Sequence, residues 1–176
     1  MARVVKKSKT LFNASKDLKE RAATDRWTIC SKGHIHWGAL GGAGFLFRYA
    51  PKIGEPVYLL QFRSGSVDEP RTWGIPGGAM REGESPEAAA RREAEDEIGP
   101  LPSYRLTGID SQDCGGGWIF YVVTADVDSS FPSFCVRETE ATGWFTRREM
   151  ENLTLHSQFR KWVDEYMEEF RHPRVR

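Results

Sequence analysis

Apolar and polar positions along the chain alternate between short extended runs and two helical ones. Residues 37–49, WGALGGAGFLFRY, read as a first strand whose apolar run, Phe45–Phe47, follows Gly38, Gly41, Gly42 and Gly44. Glycines in a strand suit close approach by another backbone or by a ligand. No G-K-S/T follows them, so they do not make a phosphate-cradling loop. Val57–Phe62 reads as the next strand, reached through a turn with Pro51, Gly54 and Pro56. Ser64–Arg71 is a polar loop. Ser85 and Pro86 predict a helix start, as N-cap and first helical residue, and Gly99-Pro100 predicts its end. Between them Ala90, Ala94 and Ile98 share one side, while Glu87–Arg91 and Arg91–Glu95 can pair on the other. Trp118–Val127 is a long apolar strand entered from Gly115–Gly117, and Gly143–Thr146 is a short one around Trp144 and Phe145. Residues 156–170 repeat Phe159, Trp162, Val163, Tyr166, Met167 and Phe170 at helical spacing, a stripe for core packing. Strands, a helix, strands and a closing helix predict an α/β fold with a mixed sheet between helices.

Length and charge refine this picture. A chain of 176 residues with 39% hydrophobic content fits one domain and a short extension. The expected division is a basic, partly ordered extension over 1–30 and a domain over 31–176. Leu11, Phe12 and Leu18 could give the extension a weak amphipathic helix around 11–23. The formal net charge is zero, so no global field draws the chain to a nucleic acid polymer or a membrane. The balance is uneven, however: residues 1–32 hold nine Lys/Arg against three Asp/Glu, and 81–98 hold seven acids against three Arg. The acidic cluster invites a cation. Cys30, Cys114 and Cys135 are odd in number and far apart, against a disulfide framework or zinc ribbon and in favour of a reducing, cytoplasmic setting. No apolar run has the length of a transmembrane helix.

The chemistry concentrates in Trp73–Pro100, WGIPGGAMREGESPEAAARREAEDEIGP. Glu93, Asp96 and Glu97 are spaced i, i+3, i+4 and so project from one face of a helix. Three acids on one face repel unless a cation lies between them. Hard divalent ions take such oxygen ligands and share them with substrate phosphates. The pattern points to a metal-dependent enzyme acting on phosphates.

The segment resembles the Nudix box, G-x5-E-x7-R-E-U-x-E-E-x-G-U with U a bulky aliphatic. Gly78, Glu84, Arg92, Glu93, Glu97 and Gly99 fall on its fixed positions. Three residues depart from it: Asp96 stands for Glu and is shorter by one methylene, Ala94 is a small U, and Pro100 replaces the last U. Asp96 could therefore act on a metal through water. The stretches HWGALGGAGFLF, TWGIPGGA, GGGWIFYVV and ETEATGWF resemble a bacterial, actinobacterial-type branch of the family.

The resemblance implies a Nudix-type α/β/α sandwich and a Mg²⁺-dependent hydrolase, with Mn²⁺ as a substitute. Its reaction would split the pyrophosphate bond of a nucleoside diphosphate linked to another group. It implies metal ligation by Gly77 (backbone carbonyl), Glu93, Asp96 and Glu97, and orientation of the glutamates by Arg92. Glu84 is expected behind the ligands, as a structural acid. A general base from a loop outside the box would be Glu138 or Glu140, before the Trp144 strand; a box glutamate is the alternative. Arg63 and Arg71 flank the preceding loop and could hold distal phosphates, and Trp73 could stack a base. The expected partner is a small nucleotide, with a homodimer compatible. A nucleotide-sensing module without turnover is the competing reading; such modules commonly lose box acids, whereas Glu93, Asp96 and Glu97 remain acidic. His34 and His36 form H-x-H, which on a strand would face one side. With no third ligand recognised beside them, a surface or ligand-edge role is expected. His156 is expected to cap or pack, and the absence of G-x-S-x-G disfavours a serine hydrolase.

Overall fold

The computed structural model describes residues 23–113, 116–131 and 138–167. Residues 1–22, which hold most of the basic extension, lie outside the described residues, as do Cys114, Cys135 and Phe170.

Two short strands, β1 (Trp27–Ile29) and β2 (Ile35–Trp37), pair as an antiparallel hairpin that straddles the expected division at residue 30. The main sheet contains β3 (Gly42–Tyr49), β4 (Val57–Arg63), β5 (Trp73–Gly74), β6 (Gly77–Ala79), β7 (Arg105–Asp113), β8 (Ile119–Val127) and β9 (Thr139–Thr146). It is mixed: β3 and β8 run parallel and its other pairs are antiparallel. Among the described residues, besides helical residues 23–24, the helices are α1 (Pro86–Ile98), the short α2 (Arg147–Met150) and α3 (Ser157–Tyr166).

The sheet separates two cores by simple alternation. Phe45, Phe47, Leu59 and Val123 face α1 and meet Ala89, Ala90, Ala94 and Ile98. Leu46, Leu60 and Val122 face the other way and meet Phe159, Trp162 and Val163 of α3. Small residues on α1 let it lie close to the sheet, which brings its acids to the strand ends. Each fully buried aromatic or aliphatic side chain here stabilises the fold by about 1.5–3 kcal/mol.

The first strand expected over 37–49 is two strands. Gly38 and Gly41, at φ of 103° and 102°, turn the chain between β2 and β3. Gly41 has a second constraint: a Cβ there would lie 2.4 Å from the Ile119 carbonyl oxygen. Close backbone approach is found farther along, where a Cβ on Gly77 would meet the Gly44 Cα at 2.4 Å.

β3 and β4 pair only at Arg48–Tyr58 and Tyr49–Val57, then diverge. β6 fills the gap beside β3 and β5 fills it beside β4. The Ile75-Pro76 step crosses between them, and Phe45 donates its N–H to the Pro76 carbonyl at 2.8 Å. That split wedges the glycine turn against the start of β3, under α1.

Candidate active site

Local sequence sets α1 as expected. The Ser85 hydroxyl accepts the Ala88 N–H at 3.2 Å, Pro86 occupies the first turn, and the chain leaves through Gly99 at φ 85°. Arg91 pairs with Glu95 at 3.0 Å, while Glu87 accepts from the Tyr104 hydroxyl at 3.3 Å.

This register turns Glu97 inward, to 6% exposure. Its Oε2 accepts the Gly77 N–H at 2.7 Å and the Gln61 side-chain amide at 2.9 Å. Gln61 is itself fully buried, and its Oε1 accepts the Thr139 hydroxyl at 2.6 Å. Thr139, Gln61 and Glu97 thus form a buried chain that fixes which way the amide points. Burial pushes the Glu97 carboxyl up from 4.5 to about 8; the Gly77 N–H opposes the shift and the nearby Glu93 charge adds to it.

Glu93 is one turn back. A Cβ on Gly78 would lie 2.7 Å from its Cδ, so only glycine leaves room for the carboxylate at this turn. Burial raises its pKa, and the adjacent Arg92 guanidinium works against that rise. Arg92 donates to Glu93, to Glu84 at 2.9 and 2.8 Å, and to the Ala79 carbonyl at 2.9 Å. Glu84 also accepts the Arg81 N–H at 3.0 Å. Burial alone would raise the Glu84 pKa, but the Arg92 hydrogen bonds prevail and lower it. One guanidinium therefore links box loop, turn and helix.

Asp96 is exposed. Among the described residues the groups that bring three ligand atoms within 4.8 Å of one another are Cys30–His34–His36 and Asp68–Glu69–His156, not the three box acids. The helix face nonetheless gathers buried Glu97 and half-buried Glu93 at the glycine turn, both with their ionised form disfavoured by desolvation. That donor chemistry fits a hard cation, which would stabilise both charges.

Of these groups Glu93 opens onto a cleft of about 940 Å³. Gly77, Gly78, Arg63 and Glu138 line it with Glu93. The β1–β2 hairpin, Trp118, Phe120 and the start of α3 complete its wall. Arg63 donates to the Asp68 carbonyl at 3.0 and 2.8 Å, which holds its guanidinium at the rim.

The other residues singled out in the sequence fall into two groups. Glu138 lines the cleft. Glu140 does not line it: the β4–β9 register slips beside Phe62–Arg63, and the Glu140 carboxylate accepts the Gly65 N–H at 3.1 Å. Such a bulge re-aims side chains. Arg71 is exposed, at φ 57°, and is not part of the cleft. Trp73 packs against Phe62 and Phe145, with ring centroids 5.2 and 4.8 Å away, and is likewise off the cleft. His156 precedes α3 and lies 3.7 Å from Glu69, whose carboxylate caps the helix by accepting the Ser157 N–H at 2.7 Å. Sequence reasoning missed Gln61 and Thr139. The available signal was a glutamine inside the apolar run VYLLQF, a polar group that burial obliges to find partners.

This sandwich and its acidic helix define a class of hydrolases that cleave phosphoric anhydrides. The NUDIX domain model matches residues 42–167, and the chain belongs to the Nudix family as a pyrophosphohydrolase. It is 34% identical over 146 residues to the "Putative 8-oxo-dGTP diphosphatase 3" of Mycobacterium tuberculosis, covering 79% of this chain and 67% of that protein. It is 38% identical over 104 residues to a nucleoside triphosphate pyrophosphatase/Nudix hydrolase fusion protein of Bifidobacterium longum, covering 57% of this chain and 21% of that one. The crystal structure of RenU, a Nudix hydrolase from M. smegmatis, superposes with a TM-score of 0.74 and 28% identity, covering 86% of this chain and 99% of that chain. These relatives fit the actinobacterial branch. No described helix is long and apolar enough to cross a membrane.

Proposed function

We propose that this chain is a Mg²⁺-dependent hydrolase that splits the P–O–P bond of a nucleoside diphosphate linked to another group, with nucleoside triphosphates, oxidised ones included, as the leading substrates. The observation that carries the reading is the meeting of half-buried Glu93 and buried Glu97 with the Gly77–Gly78 turn beside a nucleotide-sized cleft. Glu93, Glu97, Asp96 and the Gly77 carbonyl would hold the ion, Asp96 through water because it is exposed. Bound there, Mg²⁺ or Mn²⁺ supplies charge neutralisation on phosphate oxygens. Arg92 keeps Glu93 in place, and the Thr139–Gln61 pair keeps Glu97 in place. Arg63 stands at the rim to bind a distal phosphate. Glu138, exposed on the cleft wall, is the better placed of the two loop acids to take a proton from attacking water.

The M. tuberculosis relative's name makes oxidised dGTP the first substrate to try. We also propose a cytoplasmic setting, an extension over 1–30 and a homodimer; the exposed apolar side chains of the hairpin are compatible with self-association. The test is a panel of nucleoside triphosphates, oxidised triphosphates, ADP-ribose and dinucleotides, assayed with Mg²⁺ and analysed for products. Mg²⁺-dependent release of a nucleotide product supports the proposal. Tight nucleotide binding with no product from any compound would favour the sensing module instead.

A further inference from the structure

The hairpin carries a second constellation, chemically unlike the box. Cys30, His34 and His36 each offer a ligand atom, and these atoms lie within 4.8 Å of one another. The backbone brings them together. Gly33 donates to the Cys30 carbonyl at 2.8 Å and Cys30 donates to the His34 carbonyl at 3.0 Å, closing a tight turn with Gly33 at φ 81°. Ile29 pairs with Ile35, so Cys30 and His34 face each other across the turn, and His36 is two residues further along β2. We propose that Cys30, His34 and His36 bind a zinc-class transition-metal ion on the wall of the cleft.

A sulfur and two imidazole nitrogens select zinc-class metals, whereas Mg²⁺ favours oxygen donors of the box type. Tetrahedral Zn²⁺ at ordinary bond lengths sets its ligand atoms about 3.5 Å apart, so small side-chain rotations close the cluster. The surroundings restrict one ligand strongly. The His36 ring stacks on Trp118 at 4.1 Å and 13°, and its Nδ1 lies 3.0 Å from the Gln158 amide nitrogen. Trp118 is anchored in turn through its indole N–H to the Gly38 carbonyl at 2.7 Å. The stacked ring is held in orientation, and ligation through Nε2 would have the Gln158 amide turn its oxygen to accept the Nδ1–H. Three protein ligands leave a fourth position, and because His34 and His36 line the cleft, water or an anionic group in the cleft can fill it. The ion would pin the hairpin turn to the cleft wall. Cys30 supplies the third ligand that the H-x-H motif lacked when read alone. None of this depends on the nucleotide reading of the box.

The test is a Co²⁺ titration of the full reduced chain under saturating Mg²⁺, which occupies the oxygen-ligand site. We expect a thiolate-to-cobalt charge-transfer band that saturates at one equivalent and is displaced by Zn²⁺. Cys30→Ser should abolish the band. His34→Ala, at an exposed position, should weaken Co²⁺ binding at least about tenfold while the far-ultraviolet spectrum is kept. Glu97→Gln and His156→Ala should leave the band in place. No band, a band that survives Cys30→Ser, or one that vanishes in Glu97→Gln would overturn the assignment.

Discussion

The acidic helix and the β1–β2 hairpin border one cleft and are built on opposite terms. At the helix end, Glu97 is buried, Glu84 and Glu93 are half-buried, and these three are met by donors: Glu84 by Arg92 and the Arg81 N–H, Glu93 by Arg92, Glu97 by Gly77 and Gln61. At the hairpin end, Trp27, Ile29, Ile35 and Trp37 are between 41% and 69% exposed, with Trp27, Ile35 and Trp37 on the cleft, while Cys30 and His36 are buried. The helix end ties stability to chemistry, because any lost partner strands a buried charge. The hairpin can change its outer residues without disturbing either core.

The sharpest break in that contrast is Arg92→Ala. It removes the cation shared by Glu84, Glu93 and the Ala79 carbonyl, and we expect a loss of about 3 kcal/mol in urea denaturation. Trp27→Ser, which breaks the edge-to-face pair with Trp37 at 5.3 Å, should cost about 1 kcal/mol or less. Equal losses would mean that the two ends are not built differently.

Next in size is the split between the two loop acids. Glu138→Gln should lower turnover about a hundredfold with Mg²⁺ affinity nearly unchanged, as for a base outside the metal ligands. Glu140→Gln should stay near normal, because that carboxylate serves the Gly65 N–H. Steady-state kinetics across Mg²⁺ concentrations reads both. If both variants keep full turnover, a box glutamate becomes the better base.

A smaller effect, about tenfold in turnover, is expected for Gln61→Leu, which removes the donor that orients Glu97. The last is a pH slope. The folded Glu97 carboxyl titrates near 8 against 4.5 in the ordinary state, so the folded metal-free protein holds a proton that the unfolded chain has released. That contribution is full below about 4.5 and is lost as pH rises towards about 8. The Tm of the metal-free protein should therefore fall across this window, and Glu97→Gln should flatten the fall.

What could be read from sequence followed the range of the interactions. Ser85, Pro86 and Gly99 act within one turn of helix, and α1 ends where they say. Glu93 and Glu97 share a face by helical geometry alone. β7 was overlooked because RLTGIDSQD is an edge strand with no fully buried residue, so it carries no strong apolar rhythm. The hairpin inverts the usual pattern by leaving its tryptophans and isoleucines exposed, three of them on the cleft. The insertion of β5 and β6 between β3 and β4, and the Thr139–Gln61–Glu97 chain, join residues far apart in sequence. Trp73, a base-stacking candidate from its place before the glycine turn, packs against Phe62 and Phe145.

We propose that the carboxylates of α1 hold the ion that makes hydrolysis possible. Mg²⁺-dependent turnover of Glu97→Gln beside the parent chain, on whichever nucleotide the panel identifies, tests this. The substitution keeps shape and removes one anionic oxygen ligand. We predict a loss on the order of a hundredfold or more with the fold intact, and a milder loss for Asp96→Asn, whose exposed side chain reaches the ion through water. Near-normal turnover of Glu97→Gln at saturating Mg²⁺ would contradict the account.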